Sequence, residues 1–310
     1  KIKKDGDEKL TESGKRDEFQ KKHFDYFYKL AENSEEKLTG NNQKEWLMKL
    51  DSDIGNLREA LNRALINEPV LSLQMSVLLG KFWELRGYYA EGLEYLRKSS
   101  ENSESADLIW KARSVYLKGL FLINQGNYSD SKKFLKESQK LFREMNYRDG
   151  EALTYSALAS IALFESDYEN LNLYSEKGLE ISNEINNRSY TARNIQNIAM
   201  GLMQQGYHEE ARNKFEESLE IFRELNDLVL LARTIGNIGA LEYLLGNYDK
   251  AREVFEESLV IRSEIGERQG ISIALNNLGS VTYMQQKYSE AENYLERSLA
   301  ITKELGDKRI

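Results

Sequence analysis

The 310-residue sequence contains no cysteine and a single proline, Pro69. Without cysteine the chain has no disulfides, no thiolate nucleophile and no cysteine-ligated zinc. The absence of cysteine is consistent with a cytoplasmic location, which is the location that we expect. Because proline disrupts helix interiors, a chain almost free of it and rich in leucine, glutamate, lysine and alanine predicts mostly helical structure.

The sequence also lacks long apolar runs and a surplus of positive charge. No window approaches the roughly 18 uninterrupted apolar residues of a membrane span. Residues 1–22 are charged throughout, without the apolar stretch that a signal peptide needs. The net charge is −8 and the pI is near 5.2, which is the wrong sign for binding a phosphate backbone. We therefore expect no membrane insertion and no direct contact with nucleic acid by this segment.

Signatures of catalysis are missing as well. The two histidines, His23 and His208, both lack the i,i+4 histidine partner of a helical zinc site. Residues 13–16 (Ser-Gly-Lys-Arg) look like the end of a phosphate loop, but Lys9 stands where the earlier glycine belongs and Arg16 where Ser or Thr belongs. The many carboxylates fall on polar helix faces, with no buried pair marked out. The sequence predicts no enzyme, no metal and no cofactor.

What the chain does contain is a repeat of about forty residues. A small residue recurs six times, and an aromatic residue or, once, histidine follows it nine positions later. The small residues are Gly80, Gly119, Ala159, Ala199, Gly239 and Gly279, and the residues that follow are Tyr89, Tyr128, Tyr168, His208, Tyr248 and Tyr288. A regular period of this kind indicates one supersecondary unit stacked on itself.

The fifth unit shows the structure that each copy predicts. Residues 232–245 carry apolar side chains at helical spacing, and Gly246-Asn247 interrupts them. A second helix is predicted from about Tyr248 to Ile265, and another break follows at 266–267. Each unit is therefore expected to be two antiparallel helices joined by a short turn, with the small residue letting the two helices approach.

This register of small and aromatic residues resembles the tetratricopeptide repeat over about Val70–Leu305. The period exceeds the usual length of about 34, as in the similar long repeats of kinesin light chains and many bacterial regulators. The resemblance implies an all-α fold, a right-handed α–α superhelix of six helix-turn-helix repeats. Residues 305–310 look like the linker to a seventh unit. We therefore expect the array, 69–310, to be truncated at its C-terminal end.

Two helices are predicted ahead of the repeats, over 17–38 and 43–66. The chain is accordingly divided into a linker or ragged terminus at 1–16, an N-terminal helical pair at 17–68, and the repeat array from 69 to 310. Because the chain begins with lysine, we expect a further domain upstream of it.

The N-terminal pair carries a second resemblance. The runs that bear it are FYKLAE at 27–32, QKEWLMKL at 43–50, NLREAL at 56–61 and FWELRGYYAEG at 82–92. They look like the junction that follows the nucleotide-binding and winged-helix parts of bacterial signal-transduction ATPases, which include LuxR-type and antibiotic-regulator-type transcription factors. In that family the repeat array is a sensor and docking arm. The resemblance implies a module that receives a partner or inducer and relays it to an upstream switch.

Candidate ligand-binding residues lie on the first helix of each unit, which lines the concave face of such arrays. Arg193 and Asn197 are four residues apart, as are Arg233 and Asn237, so each pair shares a helix face. Arginine offers forked donors for carboxylates, and asparagine pairs with a peptide backbone. The full candidate set is Arg113, Tyr116, Leu117, Leu120, Arg193, Gln196, Asn197, Arg233, Asn237, Asn276 and Asn277. It predicts a protein or peptide ligand with an apolar stretch beside an acidic or C-terminal carboxylate group.

Alternatives remain open for these residues and for the whole chain. The arginines could pair with glutamates of neighbouring helices while the asparagines bridge repeats. The array could be a stand-alone scaffold or adaptor like the kinesin light chain repeats, or a regulatory extension of a catalytic domain such as a nucleotide cyclase. The ligand could be a peptide, a protein or a small inducer. The sequence upstream of residue 1 would separate the alternatives for the whole chain. A phosphate loop with a winged helix would favour the sensor, a coiled coil would favour the adaptor, and a cyclase domain would favour the regulatory extension.

Overall fold

The computed structural model describes residues 16–305, and within that range it contains sixteen α-helices, one short 3₁₀ helix and no strand. In chain order the helices are α1 (Arg16–Lys37), α2 (Gln43–Ser52), α3 (Ile54–Asn67), α4 (Pro69–Leu78), α5 (Gly80–Arg86), α6 (Tyr89–Glu101), α7 (Leu108–Asn124), α8 (Tyr128–Glu144), α9 (Arg148–Phe164), α10 (Tyr168–Glu184), α11 (Arg188–Gln204), α12 (His208–Leu225), α13 (Leu228–Leu244), α14 (Tyr248–Ile265), α15 (Arg268–Met284) and α16 (Tyr288–Leu305), with the 3₁₀ helix at Gly40–Asn42. Helices α4 to α6 form the first repeat, and the pairs α7–α8 to α15–α16 form the other five. The chain is an all-α superhelical repeat array. The predicted linkers over 1–16 and 305–310 lie outside the described residues, apart from Arg16 at the start of α1 and Leu305 at the end of α16.

The turns of the array follow one rule from α7 to α16. Each contains a residue in the left-handed conformation, at a spacing of twenty residues. These residues are Gly126, Asn146, Ser166, Asn186, Gly206, Asn226, Gly246, Gly266 and Gln286, with φ between 50° and 85°. After α7, the amide of Asn127 donates to the carbonyl of Leu122 at 2.9 Å, and the Asn127 side chain accepts from the amide of Asp130 at 3.3 Å. Gly126 thus ends α7 and Asn127 caps the start of α8, which confirms the short turns predicted between helices.

Close approach within each pair explains the small residues. A Cβ on Gly239 would lie 2.7 Å from the ring of Phe255, and one on Gly119 would lie 2.8 Å from Leu135. All six positions of the small-residue series are buried. The two helices of a repeat therefore pack at a distance that larger side chains would prevent.

The N-terminal helices differ from the prediction. One helix was expected over 43–66, and this was wrong, because Asp53 separates α2 from α3 with a non-helical φ of −104° and ψ of 7°. The Ser52 hydroxyl donates to the carbonyl of Lys49 at 2.8 Å. Serine and aspartate side chains compete in this way for backbone groups and favour helix ends. Three helices, rather than a pair, therefore precede the repeats.

Helix α2 and the first repeat together close the array on itself. Helices α2 and α5 contact α14 and α15 respectively. The guanidinium of Arg86 forms an ion pair with Asp51 and donates to the carbonyl of Gly266 at 2.5 Å. The hydroxyl of Tyr89 donates to the side chain of Gln269. Repeat 1 consequently touches the turn between repeats 5 and 6, and the superhelix forms a ring.

A buried carboxylate links the fourth and fifth repeats. Glu242 of α13 has no exposed side-chain surface and accepts from Arg212 at 2.5 Å, from Asn247 at 2.8 Å and from Lys250 at 3.0 Å. The hydrogen bond from Arg212 outweighs burial, and with the other donors it lowers the pKa of Glu242 from 4.5 to about 2. The ionised carboxylate is therefore stabilised in the folded state.

We expect Glu242→Gln to lower the free energy of unfolding by about 2 kcal/mol at pH 7, after allowance for solvent screening. The folded pKa is depressed, so this contribution is complete above pH 4.5 and is lost as the pH falls through about 2. Urea unfolding of both proteins between pH 7 and pH 2 measures the difference. Glu94→Gln, which removes an exposed carboxylate of α6, is the matched control. A deficit that stays constant with pH would contradict the assignment.

Candidate functional site

The ring encloses a central cavity of about 320 Å³. Its walls come mainly from the first helices of repeats 2 to 6, which are α7, α9, α11, α13 and α15. Helices α5 and α6 of the first repeat and Arg262 of α14 complete the lining. This is the concave face of the array, closed by the first repeat. A ligand in the cavity would touch several repeats at once.

One wall of the cavity is basic. Arg193, Arg233 and Arg262 face it, together with the carboxylates of Glu84 and Glu267. Arg262 and Glu267 neutralise each other through a largely buried ion pair at 2.9 Å. Three guanidinium groups against two carboxylates leave an excess of positive charge here, in a chain whose net charge is −8. The field inside the cavity therefore favours an anionic group.

Two donors on this wall have no acceptor. The Nε of Arg193 and the Nδ2 of Asn237 are both buried from solvent, and neither has a hydrogen-bond partner among the residues that the structure describes. A buried donor without a partner costs about 1–3 kcal/mol. Because both atoms lack accessible surface, a ligand with carboxylate or carbonyl oxygens recovers that energy only if the side chains rotate to present the donors to the cavity.

Another part of the cavity lining is largely apolar. It is formed by Tyr116, Leu120 and Ile123 of α7 and by Leu153 and Leu163 of α9. Burial raises the pKa of Tyr116, so its phenol stays protonated and remains a hydrogen-bond donor. The cavity thus combines an apolar surface with a cationic one.

The structure brings most of the predicted ligand residues together. Those that line the cavity are Tyr116, Leu120, Arg193, Gln196, Asn197, Arg233 and Asn237. Arg113 lies outside it and forms an ion pair with Glu35 of α1. Leu117 packs against Gly80, and Asn276 and Asn277 are half-buried on α15 away from the cavity wall.

Some of the predicted polar residues bridge repeats. The amide of Asn197 donates to the carbonyl of Ser156 in repeat 3 at 3.2 Å. The amide of Gln196 donates to the hydroxyl of Thr234 in repeat 5 at 2.7 Å. Asn237, forty residues beyond Asn197, has no such partner for its Nδ2. The alternative in which polar residues bridge repeats therefore holds for Gln196 and Asn197, and the Nδ2 of Asn237 forms no such bridge.

Sequence reasoning missed the cavity residues that come from outside the first helices. Glu84 belongs to α5, Arg262 to α14, and Glu267 to the following turn. Glu84 lay within the junction motif at 82–92, but no sequence signal placed it near Arg193, which is more than 100 positions away. Its position depends on closure of the ring.

The described residues hold no cluster of three or more side chains suited to a metal ion. Among the helices between residues 16 and 305, none is both long and apolar enough to cross a bilayer.

Comparison with protein families identifies the repeating unit. Models of the tetratricopeptide repeat match residues 112–144, 190–264 and 230–304. These matches cover repeats 2, 4, 5 and 6 in the register of the small and aromatic residues. The four matched units are tetratricopeptide repeats. A search of curated proteins by sequence finds no match.

Solved structures share the fold of this tetratricopeptide array. A Rap protein complexed with competence and sporulation factor is 18% identical, with a TM-score of 0.66 over 94% of this chain and 78% of that one. NprR in complex with its cognate peptide NprX is 18% identical, with a TM-score of 0.59 over 82% of each chain. A signal-transduction ATPase with a tetratricopeptide repeat sensor from Pyrococcus horikoshii is 18% identical, with a TM-score of 0.53 over 81% of this chain and 40% of that one.

Proposed function

We propose that the chain is the sensing module of a larger cytoplasmic regulator, and that it binds a protein or peptide ligand in the central cavity. The observation that carries this proposal is the basic wall, where Arg193, Arg233 and Asn237 line an enclosed cavity. A ligand with an acidic or C-terminal carboxylate would meet these groups. Its apolar part would lie against Tyr116 and Leu120.

Similar folds support a peptide ligand. The Rap and NprR structures are complexes with competence and sporulation factor and with the peptide NprX. Each charge-assisted hydrogen bond contributes about 1.5–3 kcal/mol, so two or three of them with apolar contact suffice for micromolar affinity. Binding, and no catalysis, is the role that these groups perform.

The ligand would act through the first repeat, which carries Glu84 to the cavity on α5, and through α2, which contacts α14 and helps to complete the ring. The module would then relay occupancy to an upstream ATPase or transcription-regulator switch, as the junction motifs imply. A signal-transduction ATPase with a similar array supports this arrangement. The two alternatives are an adaptor without a switch and a regulatory extension of a catalytic domain. The natural protein's sequence upstream of residue 1 decides between these three.

The binding proposal is tested with a displayed library of peptides that have random C-terminal hexapeptides. Sequences enriched on the wild-type chain are synthesised with a free carboxylate and with an amide, and fluorescence anisotropy measures Kd. We expect the free acids to bind with micromolar Kd, and the Arg193→Gln, Arg233→Gln double variant to bind at least thirtyfold more weakly, as for the loss of roughly 2 kcal/mol. The amide forms should lose affinity for the wild type by a similar factor.

The control variant is Arg188→Gln, Arg223→Gln, which removes two exposed arginines on α11 and α12 outside the cavity. It changes the net charge equally and should bind like the wild type. Equal affinity of the wild type and the cavity variant for every selected peptide would refute the proposed site.

A further inference from the structure

The carboxylate of Glu84 enters the cavity from the N-terminal side of the ring. It faces the same space as Arg193 of α11 and Arg233 of α13. Lys81, one turn earlier on α5, donates to it at 2.9 Å. The first repeat thus places a negative charge, that of Glu84, in the same cavity as Arg193 and Arg233.

The charges of these groups respond to one another. Burial raises the pKa of the Glu84 carboxyl, but Lys81, Arg193 and Arg233 together lower it by more, so its pKa lies below the ordinary value. Burial lowers the pKa of Arg193, whereas Glu84 and then Asp227 raise it, and the net direction is upward. Glu84 is therefore ionised and compensates the charge of the arginine pair.

Glu84 compensates the charge of the arginines but does not satisfy every hydrogen-bond donor beside them. The Nε of Arg193 stays without a partner although Glu84 faces the same cavity, and so does the Nδ2 of Asn237 on the next repeat. Glu84 supplies charge but leaves these donors unsatisfied. An anionic group that contacts the guanidinium directly would form the charge-assisted hydrogen bonds that Glu84 does not form.

We infer that the charge of Glu84 competes with the acidic group of a ligand for the field of Arg193 and Arg233, which line the same cavity but lie beyond ion-pair distance of Glu84. Glu84 thereby tunes selectivity, since its negative charge weakens the attraction of an anion to this cavity and leaves the binding of a neutral ligand unchanged. The ligand class is an organic anion with an apolar body, the anion against the arginines and the body against Tyr116 and Leu120. The inference rests on the proposed function, because it concerns the same cavity.

The test uses two fluorescent probes of matched shape. The dye 8-anilinonaphthalene-1-sulfonate carries an anion on an apolar body, and N-phenyl-1-naphthylamine is its uncharged counterpart. Kd of each probe is measured by fluorescence titration of the whole chain. Glu84→Gln should bind the anionic dye about tenfold more tightly, a gain of about 1.4 kcal/mol, with unchanged affinity for the neutral dye. Glu94→Gln removes an exposed carboxylate on the neighbouring helix α6 and should match the wild type with both dyes.

Glu84→Asp is the second variant, because it keeps the charge but withdraws it by one methylene group. It should bind the anionic dye with an affinity between those of the wild type and Glu84→Gln. If Glu84→Gln binds the anion no better than the wild type does, while the Arg193→Gln, Arg233→Gln variant loses it, the competition is refuted and the basic site stands. If the arginine variant also binds the anion like the wild type, the proposed site itself is refuted.

Discussion

The Arg86→Met variant is expected to open the ring between the first repeat and the turn joining repeats 5 and 6. Arg86 is 8% exposed, and its guanidinium bridges the carboxylate of Asp51 to the carbonyl of Gly266. Methionine fills a similar volume without a donor, so both acceptors lose their partner. Breaking a buried pair costs about 3–5 kcal/mol, and the partial exposure of Asp51, 38%, reduces this to about 2 kcal/mol.

A cost of that size raises the open population by roughly thirtyfold. Hydrogen exchange followed by mass spectrometry should show faster exchange over 262–270, and small-angle scattering should show a larger radius of gyration. Arg97→Met is the matched control, since Arg97 is 65% exposed and its ion pair with Glu101 stays within α6. Unchanged exchange around Gly266 in Arg86→Met would mean that apolar contacts alone hold the ring closed.

The repeats were predictable because their determinants are local. The small residue at Gly239 and its aromatic follower at Tyr248 fix the packing of two helices that are adjacent in sequence. The breaks at Asn226 and Gly246 fall where the chain adopts the left-handed conformation that glycine and asparagine tolerate best. Each repeat therefore encodes its own fold.

The candidate site was predictable to the extent that it lies on one helix face. Arg193 and Asn197 line the cavity because residues four apart share a face. Arg113 sits in the same register of repeat 2, but Glu35 of α1 pairs with it outside the cavity. The periodic signal gives the face of a helix, and the N-terminal helices decide which parts of that face remain open.

Ring closure was beyond sequence reasoning. The contacts of Arg86 with Gly266 and of Tyr89 with Gln269 each join residues 180 positions apart. Whether these ends meet depends on the sum of small rotations between successive repeats. No local pattern encodes that sum, so the role of Glu84 in the cavity had to come from the structure.

Gly239→Leu is expected to destabilise the array more than Glu242→Gln or Arg86→Met does. The Cβ of the new side chain would lie 2.7 Å from two atoms of the Phe255 ring, which is 2% exposed and has no room to move. Overpacking of this kind costs about 3 kcal/mol or more, and it separates α13 from α14 within repeat 5. Circular dichroism should record a lower melting temperature for the helices.

The consequence for the rest of the chain distinguishes a ring from an open array. All three tryptophans, Trp46, Trp83 and Trp110, lie in α2, α5 and α7, far in sequence from the substitution. In an open array, repeat 5 would unfold without moving the tryptophan transition, since each repeat contacts its neighbours alone. In the ring, α14 and α15 support α2 and α5, so the fluorescence transition of Gly239→Leu should shift to lower temperature with the helical one. Gly55→Ala, on α3 with open space around its Cβ position, should leave both transitions in place or raise them. A tryptophan transition that stays at the wild-type temperature while repeat 5 melts would show that closure carries no stability from one end of the array to the other.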